Sequence, residues 1–184
     1  MSNIVTLYHS GYGHTQHQAE AVHEGVRSVK GVTAQLIKVE DLESHWDDLD
    51  KADAIIFGAP TYMGSLSAKF KEFMEASSKR WYEQKWKDKY AAGFSNSQSL
   101  SGDKLNSLVQ LTIFAAQHGM IWISLGQMPD ASNSIGAKDH TNRVGSYLGA
   151  MAQSDPDSKA PSGGDLETAR LLGVRVAEIV LKGN

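Results

Sequence analysis

The segment at residues 7–16, which reads LYHSGYGHTQ, contains the residues best suited to binding a ligand. An apolar run enters the segment and a helical pattern leaves it, which predicts a turn between a strand and a helix. The first N–H groups of a helix have no partner within it, and the helix dipole favours an anion there. Ser10 and Thr15 add hydroxyl donors, while Gly11 and Gly13 let the backbone approach a ligand closely. The turn therefore predicts a phosphate site that needs no cation.

Other chemistries fit this turn less well. It lacks the lysine of a nucleoside triphosphate loop, and its G-x-G-x-x-G pattern stops at Gln16. No G-x-S-x-G elbow supports a hydrolase, and no carboxylate or cysteine cluster completes a metal site with His14 and His17. We therefore predict no metal site. A helix cap without a ligand stays open as an alternative.

Two more polar loops follow apolar runs. The loop at 58–65, GAPTYMGS, places an aromatic ring and a thioether beside backbone that Pro60 stiffens. A flat heteroaromatic ring needs apolar contact on its faces and hydrogen bonds at its edge, and this loop offers both; a turn with a packed tyrosine is the alternative. The loop at 95–102, SNSQSLSG, is rich in donors and poor in glycine, and by itself it also fits a solvated loop.

The elements that must position these loops are strands alternating with helices. Spacings of three or four predict helices near 14–29 and 166–180. This alternation predicts an α/β fold, a doubly wound five-stranded parallel sheet in a single domain spanning residues 1–184. Residues 124–163 show no clear period, which indicates a lid or a subunit interface. The predicted strands lie at 4–7, 32–36, 54–57, 91–94 and 120–123.

Composition narrows the possible functions. The 184 residues are 41% hydrophobic and 21% charged, with a net charge of −3 and no basic run, which argues against a nucleic-acid partner. No apolar run is long enough to cross a membrane, and the first residues do not resemble a signal peptide, so we expect a cytoplasmic protein. The chain has no cysteine, so any redox chemistry requires a bound cofactor.

Three stretches of the chain together resemble the flavodoxin-like NAD(P)H:quinone oxidoreductases, the family of the tryptophan-repressor-binding protein WrbA. These stretches are LYHSGYGHTQ, DAIIFGAPTYMGSLSAKFKEFM and QHGMIWISLG. The resemblance covers nearly the whole chain. It implies a flavodoxin-like sheet of order 2-1-3-4-5 that binds FMN. It also implies two-electron transfer from NADH or NADPH to a quinone or similar small-molecule acceptor, and a homo-oligomer, either a dimer or a tetramer.

The resemblance assigns roles to individual residues. It places catalytic roles on Tyr12, near the nicotinamide, and on Gln117 and His118. It places Trp81 at the substrate site, contributed from a neighbouring subunit. The implied FMN-binding residues are Ser10, Gly11, Tyr12, Gly13, His14 and Thr15 at the phosphate, Pro60, Thr61, Tyr62, Met63 and Gly64 along the ring, and Ser95, Asn96, Ser97, Gln98 and Gly102 at its other edge.

The chain departs from the family at three places. Its third loop reads SQSLSG where the family is glycine-rich, Gln117 replaces a histidine, and a segment of the tetrameric members is missing between the second and third strands. Two alternatives to the enzyme therefore stay open: a flavodoxin-type electron carrier without its own NAD(P)H activity, and a protein that has lost flavin binding. Carriers tend to be strongly acidic, so a net charge of −3 favours the enzyme.

Overall fold

One sheet built from seven strands lies at the centre of residues 1–130, 139–154 and 160–183, which the computed structural model describes. The strands are β1 (Ser2–Tyr8), β2 (Val32–Lys38), β3 (Ala54–Tyr62), β4 (Ser65–Leu66), β5 (Tyr90–Ser97), β6 (Ile121–Trp122) and β7 (Ala150–Gln153). The main path runs β2-β1-β3-β5-β6, and each pairing along it is parallel. Because β4 is only a short antiparallel return on β3, the fourth and fifth predicted strands are β5 and β6. The predicted order 2-1-3-4-5 is therefore confirmed.

Two short strands share the far side of β5. Ile121 and Trp122 of β6 pair with the start of β5, whereas β7 pairs with its end, from Phe94 to Ser97. No regular element is predicted from the sequence in residues 124–163, so β7 is a correction. Its four residues are too short to show a period, and pairing with a strand buried on both faces stabilises them. Within that segment, residues 131–138 and 155–159 lie outside the described residues.

Helices cover both faces of the sheet, as right-handed crossovers require. None of the helices in the described ranges has both the length and the apolar character needed to cross a membrane. The helices are α1 (His14–Arg27), α2 (Trp46–Lys51), α3 (Ala68–Ala76), α4 (Ser78–Tyr82), α5 (Lys104–Gln117) and α6 (Gly163–Gly183), with a 3-10 helix at Val39–Ser44.

Two apolar clusters, one on each face, form the core. Side chains alternate along a strand, so neighbouring residues of β1 enter different clusters. Ile4 packs with Val22 of α1 and Leu172 of α6, while Val5 packs with Phe57 and the inner faces of α3 and α5. The sheet is thus buried on both sides, and its ligand-accessible region is the edge where the strands end.

Candidate functional site

The three polar loops meet at the carboxyl edge of the sheet, because β1, β3 and β5 run in the same direction. They surround a cavity of about 840 Å³, here called the first cavity. No lysine or arginine is among its lining residues in the part of the chain that the structure describes. The lining residues are Tyr12, His14, Thr15, Thr61, Tyr62, Met63, Gly64, Asn96, Ser97, Gln98, Ser99, Gly102, Asp103 and Ser154.

Most of the predicted cofactor-binding residues line this cavity. Ser10, Gly11, Gly13, Pro60 and Ser95 are not among its lining residues and support those that are. Ser95 is fully buried, and its hydroxyl donates to the carbonyl of Ala59 at 2.8 Å. Thr61 Oγ1 lies 2.7 Å from both Ser95 Oγ and Ser107 Oγ. This hydroxyl chain ties the second loop to β5 and to α5.

The first loop presents backbone N–H groups at the start of α1. Gly13 has a φ of 95°, a left-handed conformation that favours glycine. The N–H groups of Gly13 and Gln16 both donate to Ser10 Oγ, at 3.1 Å. Thr15, on the first turn, is 2% exposed and lines the cavity. Ser10 Oγ thus caps the start of α1 in this structure, and the loop brings amides and hydroxyls together without a lysine or arginine, which suits a phosphate at a helix N-terminus.

The second loop turns tightly and places the ring of Tyr62 at the cavity, beside that of Tyr12 from the first loop. Met63 and Gly64, at the tip between β3 and β4, have φ values of 49° and 82°, so this turn tolerates an unfavourable methionine conformation. Met63 is fully exposed. The rings of Tyr12 and Tyr62 meet edge to face at 6.1 Å. A Cβ on Gly11 would lie 2.4 Å from the Tyr62 hydroxyl, so a larger residue at position 11 would displace the Tyr62 ring from this place.

The third loop offers an unsatisfied acceptor. Asn96 is 4% exposed, and its Nδ2 donates to Ser154 Oγ at 2.6 Å, while its Oδ1 is buried without a partner in the structure. Leaving a buried polar atom unpaired is costly, so this oxygen fits a donor from a bound ligand. Burial, and secondarily the nearby Tyr12, raises the pKa of Tyr62, so its hydroxyl stays protonated at neutral pH. The first loop suits an anion, Tyr12 and Tyr62 present exposed rings, and Asn96 Oδ1 is an acceptor without a partner in the structure. Together these features fit a cofactor that has a phosphate and a heteroaromatic ring.

The predicted catalytic pair Gln117 and His118 lies elsewhere in this chain. α5 begins at the cavity and runs 14 residues away from it, about 21 Å at the usual helical rise, so its last residue is near the opposite edge of the sheet. The His118 ring lies 4.4 Å from that of Trp86, and its Nε2 is 3.0 Å from Ser77 Oγ. Neither residue lines the first cavity, and neither does Trp81, which is 48% exposed. A contribution of Trp81 across a subunit interface stays a prediction.

The position of His118 predicts a pH dependence of stability. Burial lowers its pKa from 6.5 to about 4, so between these values the unfolded chain binds a proton that the folded chain excludes. We expect the free energy of unfolding to fall as the pH drops from 7 to 5, with His118 contributing about 2 kcal/mol of the loss. Urea unfolding at pH 7 and at pH 5 measures this loss in the native protein and in His118→Phe, and the difference between the two losses is the contribution of His118. Equal losses in the two proteins would contradict it.

A second, largely apolar cavity of about 950 Å³ lies on the other side of the third loop. Residues 143–148 form one wall, and Leu100 and Leu105 form part of the opposite wall. The irregular segment after β6 thus contributes to a cavity, while its role as a lid or a subunit interface stays a prediction. The third loop separates the two cavities. Its residues Leu100 and Ser101 line the second cavity, and Ser97 to Ser99 line the first cavity.

Sequence reasoning missed several residues at this loop. Asp103 and Ser99 line the first cavity, and Ser154 reaches it from the end of β7, which was not predicted. Lys104 lies behind the loop and is fully buried. The sequence could have indicated a special role for Lys104, because this lysine directly follows a polar loop and begins a helix, where a cation opposes the helix dipole.

Comparison with known proteins places this geometry in a family. The model of the family described as "Flavodoxin domain" matches residues 5–113. The curated flavodoxin FldP of Pseudomonas aeruginosa is 45% identical, covering 97% of each chain. An NAD(P)H dehydrogenase (quinone) of Archaeoglobus fulgidus is 32% identical over 99% of each chain. A crystal structure of a flavodoxin, WrbA-like protein from Agrobacterium tumefaciens is 46% identical, with a TM-score of 0.80 and full coverage of both chains. The chain belongs to the flavodoxin domain family.

Proposed function

We propose that this protein binds FMN in the first cavity and works as a flavodoxin-type electron carrier. The observation that carries the proposal is the 45% identity to flavodoxin FldP along 97% of each chain, against 32% for the NAD(P)H dehydrogenase (quinone). Bound FMN would supply the capacity to take up and release electrons, since the chain has no cysteine.

The residues of the first cavity fit the parts of FMN. Ser10, Thr15 and the N–H groups that open α1 would hold the phosphate. Tyr12 and Tyr62 offer apolar faces to a flat ring, and Asn96 Oδ1 offers an acceptor to a ring N–H. Electrons would enter and leave at the exposed side, where Tyr12 is 84% exposed.

The carrier proposal predicts that NADH and NADPH do not reduce the bound FMN. We expect the FMN-loaded protein, kept anaerobic, to retain its absorbance near 450 nm for minutes after NADH or NADPH is added. Dithionite is the positive control: it should bleach the same sample at once, and cytochrome c should restore the colour. Rapid bleaching by NADH or NADPH would reject the carrier in favour of the enzyme.

An NAD(P)H:quinone oxidoreductase is the second candidate function. The observation that favours it is the 32% identity to the NAD(P)H dehydrogenase (quinone) of Archaeoglobus fulgidus over 99% of each chain. Under this proposal NADH or NADPH would be the co-substrate, and Trp81 would complete the site in a dimer or tetramer. Benzoquinone then accelerates NAD(P)H consumption by the FMN-loaded protein, whereas a carrier shows no such effect. The homo-oligomer and the cytoplasmic location stay predictions under either function.

A further inference from the structure

Lys104, the first residue of α5, is a fully buried lysine directly behind the third loop. Lysine is rarely buried completely, and a cation in the first turn of a helix opposes the helix dipole. Both features work against folding. The benefit of this residue must therefore come from the groups that its ammonium binds.

All three hydrogen bonds of the Lys104 ammonium go to the third loop. Its Nζ donates to Ser97 Oγ at 2.9 Å, to the carbonyl of Ser99 at 2.9 Å and to the carbonyl of Leu100 at 2.8 Å. An ammonium has three N–H donors, so its capacity is fully used within four consecutive residues. Ser97 Oγ also donates to the Ser99 carbonyl at 3.1 Å, which adds a link within the loop.

Burial is the main influence on the charge of Lys104 and lowers its pKa from 10.5 to about 8. Asp165 on α6 raises this pKa, whereas Arg143 lowers it. Arg143 and Asp165 are themselves joined by two hydrogen bonds of 2.8 Å, so their effects on Lys104 oppose each other. The ammonium is therefore mostly charged at pH 7, when charge-assisted bonds to carbonyl oxygens are strongest.

We propose that Lys104 is a positioning residue that holds the third loop in the shape required to bind FMN. The proposal rests on the FMN site proposed above. Ser97 and Ser99, two of the three residues that Lys104 binds, line the first cavity, and Lys104 itself does not. The third loop contains little glycine. At Gly102 the absence of a side chain leaves room for Ser97, since a Cβ there would lie 2.0 Å from Ser97 Oγ. A buried cation thus links three residues of a segment that has little glycine.

Lys89 provides a matched control. Its Nζ donates to the carbonyl of Asp50 at 2.9 Å and to that of Ala52, and burial lowers its pKa too. These carbonyls precede β3, at the amino edge of the sheet and away from the first cavity. The substitution Lys104→Met therefore removes a fully buried ammonium, and Lys89→Met removes a partly buried one. Both ammonium groups bind loop carbonyls, but only the loop that Lys104 binds lines the first cavity.

Two readouts test the proposal, and the first needs no FMN. Hydrogen exchange should show that the amides of residues 97–102 lose protection in Lys104→Met and keep it in Lys89→Met. Fluorescence quenching at pH 7 should show an FMN dissociation constant raised at least about tenfold in Lys104→Met and changed less than about twofold in Lys89→Met. Unchanged protection and unchanged affinity in Lys104→Met would overturn the proposal.

A measurement on the native protein covers the case in which Lys104→Met does not fold. As the pH rises from 7 to 9 the ammonium loses its proton, so FMN affinity should fall by about fivefold. Tyr62 does not add to this change, because its pKa is raised above 10. A flat profile in the native protein would overturn the inference about Lys104 alone, whereas no FMN binding at pH 7 would overturn the proposed function itself.

Discussion

Replacing both Ser10 and Thr15 by alanine should raise the dissociation constant of FMN by about 100-fold. The first loop contains no lysine or arginine, so hydroxyls and backbone amides must supply most of the interaction with the phosphate. A hydrogen bond to a charged group contributes about 1.5–3 kcal/mol, and each 1.4 kcal/mol is a factor of about ten in affinity. Two such bonds at the low end therefore account for the expected loss. Isothermal titration of the protein with FMN measures it.

The matched control for this double variant lies on the same helix. Ser28 caps the other end of α1, and its hydroxyl donates to the carbonyl of Gly25 at 2.7 Å. Ser28→Ala should therefore weaken the helix slightly and leave the affinity for FMN unchanged. Affinity that stays at the native level in the double variant would show that the phosphate binds elsewhere.

Replacing Trp86 by alanine should lower the free energy of unfolding by about 4 kcal/mol. The side chain is fully buried and packs against Phe73, Phe114 and His118. Its Nε1 also donates to Asp50 Oδ1 at 2.9 Å. Truncation removes the aromatic contacts, leaves a large cavity and takes one hydrogen-bond donor from the partly buried Asp50 carboxylate, which keeps Arg80 and Lys85 as partners; these losses act in the same direction. Urea unfolding monitored by circular dichroism measures the change.

Trp81 is the control for Trp86. It lies on α4 with 48% of its surface exposed, so Trp81→Ala should cost less than about 1 kcal/mol in the isolated chain. Similar losses for the two variants would contradict the assignment of Trp86 alone to the core. If the chain forms the predicted oligomer through Trp81, that variant should instead change the oligomeric state.

The fold was predictable because the signals that specify it are local. The runs at 54–57 and 91–94 have no polar side chain and the run at 4–7 has only Thr6, and that pattern suits strands buried on both faces of a parallel sheet. The strand at 32–36 alternates, and it became an edge strand. The phosphate turn was visible for a similar reason, since a strand, two glycines and a helix start follow one another within a few residues.

Residues separated in sequence were harder to interpret. The sequence placed Gln117 and His118 near catalysis by resemblance, but the length of α5 places them near the edge of the sheet opposite the first cavity. Trp81 and Trp86 are five residues apart and chemically alike, yet one is exposed and the other lies in the core. No local pattern separates them, because burial depends on which aromatic side chains α3 and α5 bring to the same place.

The amino-acid order alone thus specified the strands, the helices and the turn that suits a phosphate, since propensity and periodicity act over neighbouring residues. Packing in three dimensions specified β7, the unpaired oxygen of Asn96 and the three bonds of Lys104. Each of these depends on partners that the whole fold brings together: β5 for the strand, the surrounding loops for the oxygen, and a buried environment for the ammonium. Their energies arise from burial and pairing, which exist only once the sheet and its helices have assembled.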